Sequence, residues 1–367
     1  MILFFIVLLL FIAIVRYFLT EELRVSTNDG AIIMAAGIMI AGALQQLPAL
    51  SHAVGAYAVL VLISLLLWLM AEYLRDVYEG SFYDRHLKNP MKSFAVGTWV
   101  AAISVTIVSI MKELPMLRFI AIFLFIINIP LGVTYLFLVA RNYFRFFREP
   151  FLLKGVHGGV LLACVAVQSI VIAGHSLWKS SFPSTLSAVL LSIGALFYLI
   201  GFAVIIIRYA RYGPDDLSEG WSNTNTILHG GISITGLALA SSEVHNINLI
   251  VGTWICALTF LVIVETTEVV RGAKRVKRFG WKKGISTYYS SQWSRNFTLG
   301  MFVTFTAKVT FKESFLQGSP LSSILHNEII SIGKYVVVVL FFIELLLVVR
   351  NLVFVGQNVG KQSTGAL

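Results

Sequence analysis

Long apolar runs, separated by short polar or Pro/Gly-marked links, fill this chain from its first residues to about position 351. A helix needs about 20 mostly apolar residues to cross the hydrocarbon core of a bilayer. Eleven stretches qualify: roughly 2–19, 30–47, 54–74, 93–110, 119–140, 155–174, 187–207, 224–242, 248–270, 294–311 and 329–352. The links are too short for separate domains, so the pattern predicts one helical bundle. Backbone polar groups find no partner in lipid, which makes each run a helix rather than an open strand.

The first stretch stands apart. Met1–Leu10 carries no basic residue, and Arg16, Tyr17, Glu21 and Glu22 follow the apolar run. A secretory signal would show a basic start and a small-residue cleavage site. Residues 1–29 are therefore expected to be a retained extra helix with its link, 30–352 a ten-helix domain, and 353–367 a short cytoplasmic tail. The ten helices are numbered from Gly30.

Composition removes the soluble alternative. Of 367 residues, 57% are hydrophobic and 13% charged, where a soluble domain carries about 25% charged. Cys164 and Cys256 both lie in apolar runs and supply neither a disulfide framework nor a paired-cysteine metal site. The net charge of +10 could suggest nucleic acid, but its distribution gives it another meaning. Of the 28 Lys and Arg residues, 22 fall on the side of the links after helices 2, 4, 6 and 8, and 6 on the other. Basic loops stay in the cytoplasm, so the C-terminus is expected inside and the extra helix's N-terminus outside. The densest cluster, Arg271 to Lys283, fits topology and anionic lipid far better than nucleic acid.

The ten helices are of two kinds. Gly, Ala, Ser and Thr occupy 43 of 93 positions in the odd-numbered helices and 24 of 111 in the even-numbered ones. Small residues let helix backbones approach closely, while bulky faces suit lipid. Five hairpins with odd helices inside and even helices outside would leave a central path, although tight packing without a path explains the small residues too. Polar side chains in spans usually face a bundle interior. Helix 5 aligns His157, Cys164, Gln168 and His175; helix 7 aligns His229, Ser233, Gly236 and Ala240. Helix 9 aligns Phe297, Met301, Thr304 and Lys308, and helix 3 offers Ser93, Gly97 and Ser104. Hydroxyls, amides and a few cations without an inward carboxylate array suit a small anion, while interhelical hydrogen bonding accounts equally for each histidine. Glu265, Glu268 and Arg271, spaced by three, form a local ion-pair ladder. Glu344 lies deeper in helix 10 with no evident partner.

Enzymatic chemistry leaves no signature here. The chain has no phosphate-cradling Gly loop ending in Lys-Ser/Thr, no His-Glu-x-x-His and no Gly-x-Ser-x-Gly. No cofactor or metal is expected. Two other readings stay open. One is a haem-bearing electron carrier using His157 and His229 as axial ligands; the other is an accessory membrane subunit without a path of its own.

Several segments resemble the tellurite-resistance/dicarboxylate transporter family, which includes malate permeases, sulphite efflux pumps and slow anion channels. Gly155-Val-His-Gly-Gly-Val-Leu-Leu-Ala-Cys-Val-Ala-Val-Gln-Ser169 is similar to its fifth helix, and Gln292-Trp-Ser-Arg-Asn-Phe-Thr-Leu-Gly-Met-Phe302 to its ninth. Pro214-Asp-Asp-Leu217 with Trp221, Phe94-Ala-Val-Gly-Thr98 and Ile32-Ile-Met-Ala-Ala-Gly37 fit the blocks leading into helix 7, within helix 3 and within helix 1. The similarity spans about 30–352. It implies an all-α polytopic bundle of five hairpins around an anion pore, trimeric assembly, and Phe297 as the residue that plugs the pore. Departures touch substrate and gating: Thr298 stands where a kinking proline is usual, Asn223, Thr224 and Asn225 replace more apolar residues, and Arg295 sits near the gate. Thr27-Asn-Asp-Gly30 also lacks the aromatic residue often seen at the start of helix 1. The leading expectation is a passive or proton-linked path for small anions in the cell membrane, with lipid and two further copies of the chain as its partners and no nucleic acid.

Overall fold

The computed structural model describes residues 24–213, 216–243 and 246–364, with side chains through Asn351. The extra helix expected at 2–19 lies outside the described residues, as do Pro214 and Asp215 of the family-like block and the last three residues of the tail. Ten main helices follow: α1 (Thr27–Gln46), α2 (Pro48–Tyr78), α3 (Pro90–Glu113), α4 (Pro115–Arg148), α5 (Gly158–Ser181), α6 (Ser184–Tyr212), α7 (Ile227–Ser241), α8 (Ile247–Gly284), α9 (Trp293–Thr306) and α10 (Pro320–Thr364). No strand occurs among the described residues, so the chain is an all-α, multi-pass integral membrane protein. Prolines open α2, α3, α4 and α10, where a missing N–H costs nothing and the fixed φ suits a first turn.

Eight of these helices are long and apolar enough to cross a membrane on their own. The exceptions are α7 and α9, with 15 and 14 residues, about 22 Å each at 1.5 Å per residue. Three-residue-per-turn segments at Asn223–Thr226 and Ser290–Gln292 lead into them. At the opposite extreme, α8 continues well past its apolar run. Its extension carries the Arg271–Lys283 cluster and breaks only at Gly280, whose φ of 73° leaves the helical region. The basic cluster thus lies on a helix end rather than in a loop. Helix α10 likewise exceeds its apolar core at both ends, reaching from Pro320 to Thr364.

The odd helices close a ring in the order α1, α3, α5, α7, α9 and back to α1, each packed on the next. The even helices stand outside and bridge neighbouring members. Burial follows this division: 94% of the apolar window is buried in α3 and in α5, against 22% in α6 and 6% in α10. The outer faces carry large apolar side chains such as Phe119, Phe123, Phe137, Leu196, Ile263 and Leu346, as lipid contact requires. Inside, backbone approach depends on missing side chains. A Cβ at Gly42 would overlap Thr304, and one at Gly230 would overlap Thr298.

Where the chain leaves the ring, buried polar groups lock the first hairpin. The Asp76 carboxylate accepts from Arg85 Nη1 at 2.7 Å and His86 Nε2 at 2.8 Å, and Thr27 Oγ1 lies 2.8 Å from His86 Nδ1. Burial pushes the His86 pKa below its ordinary value despite the pull of Asp76. The ring is therefore neutral, donating to Asp76 through one nitrogen and accepting from Thr27 through the other. Thr27 O in turn accepts from Trp99 Nε1 at 3.0 Å, tying the start of α1 to α3. Removing one partner from a buried charged network costs about 3 kcal/mol or more. The Asp76→Ala protein should accordingly show a clearly lower unfolding midpoint in detergent, and an unchanged midpoint would contradict this role for the cluster.

Candidate functional site

All five ring helices run in one direction. Their first turns meet at one end of the bundle, the N-mouth, and their last turns at the other, the C-mouth. Each start bears a polar cap. Ser26 accepts from Asn28 N–H, Asn89 from Met91 and Lys92 N–H, His157 from Gly159 N–H, and Ser222 from Thr224 N–H; at α9, Gln292 accepts from Tyr289 N–H. Such caps satisfy amides that a helix start leaves without partners. They also bind the starts together. Gly158 N–H donates to Asn225 Oδ1 at 2.7 Å, Thr224 Oγ1 lies 2.6 Å from His157 Nδ1, and Asn223 Nδ2 donates to Ser291 Oγ at 3.0 Å. The N-mouth is a laced ring.

From the C-mouth a cavity of about 300 Å³ runs down the axis. Each ring helix contributes: Ile38 and Ala41 from α1, Ser104 and Val108 from α3, Ser169 and Ile172 from α5, Leu237 and Ser241 from α7, Met301 and Thr304 from α9. Lys112 and Lys308 mark its rim, both exposed. Phe297, 2% exposed, stands deepest along α9. The lining contains those two lysines and His175 but no carboxylate. Lys112 Nζ donates to Ala41 O at 2.5 Å. That carbonyl belongs to a π-helical turn, Met39–Ala43, near the end of α1; wide turns of this kind loosen the carbonyl ladder and recur at functional sites.

The expected path residues are distributed unevenly. Ser104, Phe297, Met301, Thr304 and Lys308 line the axial cavity, the last four as one stripe of α9. On α5, Cys164 Sγ sits 3.4 Å from Thr235 Oγ1 of α7, and Gln168 Nε2 donates to Leu191 O of α6 at 3.1 Å. His175 lines the cavity while its Nε2 meets Ser187 Oγ at 2.8 Å. On α7, Ser233 Oγ donates back to His229 O at 2.8 Å, and Gly236 gives room to the Phe305 ring. On α3, Gly97 lies under the Tyr135 hydroxyl and Ser93 is fully buried, away from the cavity. His157 lines a second cavity, described below, and shares no cavity with His229. Sequence reasoning passed over Ser169, Ile172 and Ser176 of α5, whose spacing of three and four was the available signal.

Near the start of α9 lies a polar group assembled from three helices. Arg295 of α9 pairs with Glu265 of α8. His229 of α7 is fully buried, its Nε2 3.9 Å from Glu265 Oε1, and neither ring nitrogen has a hydrogen-bond partner among the described residues. Thr298, where a proline was usual, leaves α9 unbroken; its hydroxyl donates to Arg295 O at 3.1 Å and its methyl fills the space above Gly230.

A second cavity, about 490 Å³, sits at the N-mouth beside the ring. Lys154, Arg208, Arg271 and Arg275 line it together with His157, Asn223, Ser291 and one carboxylate, Glu219. Three of those cations come from the outer helices α6 and α8, which sets this cavity off the axis.

No curated protein matches the chain. A family model described as "Voltage-dependent anion channel" (SLAC1) matches residues 24–352, the whole ring and its outer helices. This chain therefore belongs to the voltage-dependent anion channel family.

Proposed function

We propose that the chain is a passive channel for small anions, running along the axis of the five-helix ring and occluded at Phe297. One observation carries this reading: an axial cavity rimmed by Lys112 and Lys308, free of carboxylates, and ending on that ring. Two cations near the axis favour anions by long-range attraction. The hydroxyls of Ser104, Ser169 and Thr304 replace part of an ion's hydration without holding it tightly, as conduction requires. Phe297 supplies the barrier. Its ring is packed among neighbours, so ions pass only when it swings aside. In liposomes or voltage-clamped cells, Phe297→Ala should raise anion flux well above wild type across a panel of chloride, nitrate, sulphite and dicarboxylates. A folded Phe297→Ala protein as silent as wild type toward every anion would remove the channel reading. Running the panel with and without a pH gradient separates a passive path from a proton-linked one.

The same reading places the protein in the cell membrane with the N-mouth in the cytoplasm, because the basic excess lies at that end. Lys308→Cys tests path and orientation together. A membrane-impermeant thiol reagent applied from outside should block flux through a Phe297→Ala, Lys308→Cys channel and spare Phe297→Ala alone. Block only from the cytoplasmic side would invert the orientation. Assembly follows the resemblance, as three copies: mass photometry of the detergent-solubilised protein should give three times the chain mass, and a single-chain mass would refute it.

A further inference from the structure

We propose that the N-mouth cavity is a binding site for a phosphoryl-bearing anion, separate from the axial path. Its volume of about 490 Å³ exceeds what a single monatomic ion needs, and its donors suit a group with several acceptor oxygens. The charge there is only partly paired: Arg271 meets Glu268 at 3.1 Å. Lys154 is exposed and makes no ion pair among the described residues, while Arg275 spends its donors on the carbonyls of Ser218, Lys283 and Gly284 rather than on a carboxylate. Glu219, the one acidic lining residue, is drawn off by Arg278 at 3.6 Å. Arg271 is committed through one nitrogen only: Nη1 reaches Asn223 Oδ1 at 2.6 Å and Glu268 Oε2 at 3.1 Å. Its Nε is buried with no hydrogen-bond partner among the described residues. A buried guanidinium N–H without an acceptor is costly, and an anion oxygen is the partner such a group takes best.

Neutral donors complete the cradle. His157 accepts through Nδ1 from Gly159 N–H, which leaves Nε2 as the donating nitrogen of a neutral ring in the cavity wall. Asn223 joins Arg271 to Ser291, and Ser291 lies six residues before Phe297 on the way into α9. A ligand that draws Arg271 toward itself therefore pulls on a chain of hydrogen bonds ending at the helix that bears the ring. The same phosphoryl chemistry arrives either as a soluble phosphate or as the monoester headgroup of a lipid.

The test is a binding measurement on the full chain and needs no flux. A ligand that binds only the folded protein raises the unfolding midpoint as its concentration rises. Inorganic phosphate should do so saturably in detergent, chloride at equal ionic strength should not, and Lys154→Glu should weaken the phosphate effect about tenfold. Protection seen only in nanodiscs containing phosphatidic acid, and lost in Lys154→Glu, supports the site with lipid as its source. Acetylation of Lys154 in the wild type, followed by mass spectrometry and slowed by whichever source protects, supports the site even if Lys154→Glu does not fold. The proposal is overturned if neither source protects, if Lys154→Glu leaves protection intact, or if Lys308→Gln abolishes it, since the anion would then sit in the axial cavity. The channel reading stands or falls separately.

Discussion

Five helices close around an axis only if their backbones come nearer than ordinary side chains allow. Everything else in this molecule depends on that approach. Gly230 beneath Thr298 and Gly42 beneath Thr304 bring α7 and α1 against α9, and these contacts fix where the Phe297 stripe points. Lipid offers no hydrophobic gain for helix association, so close packing and polar contacts must supply it. The small residues are thus a condition of the ring, and the narrow axial space follows from it.

Direction matters as much as proximity. Each helix places about half a positive charge at its start and half a negative charge at its end. With all five aligned, the N-mouth gathers amide ends and the C-mouth gathers carbonyl ends. The C-mouth is where Lys112 and Lys308 stand, one of them bonded to the Ala41 carbonyl. Those lysines offset a field that would otherwise repel anions from that side. Near the N-mouth the basic side chains lie off the axis and act through the cavity between α6, α8 and the segment before α5.

The bundle was legible in the sequence because its signals are extended. The alternation of small-rich and bulky helices survives averaging over some twenty positions each, and it separates ring from rim before any coordinate is known. The α9 stripe was legible too, since Phe297, Met301, Thr304 and Lys308 recur at helical spacing. Helix α5 shows the limit. His157, expected on one stripe with Cys164 and Gln168, is instead the extended cap before the helix, and a hydrogen bond to Leu191 and proximity to Thr235 turn Gln168 and Cys164 toward α6 and α7. Ser169, one residue and about 100° further round, faces the axis instead. Periodicity says which residues share a face, not which neighbour that face meets. The N-mouth cavity was hidden for a related reason: its four cations come from three separate segments, and no local spacing joins Lys154 to Arg208 or Arg271.

The short α9 has an electrical consequence. From Phe297 to Thr306, the end of α9, is nine residues, about 14 Å of helix at 1.5 Å per residue, or roughly half of a hydrocarbon core about 30 Å thick. In the proposed channel, solution filling that depth would be a conductor, so the membrane voltage would not fall along it. The drop would then be confined to the remaining septum, where the field would be about twice that in the surrounding bilayer. A unit charge crossing the whole voltage exchanges about 2.3 kcal/mol per 100 mV, and here it does so within half the distance. Arg295, two residues before Phe297 in the sequence, and its partner Glu265 lie near that level of α9. In the proposed channel, a displacement of a charge there by a few ångströms would carry about twice the gating charge it would carry in an unindented membrane.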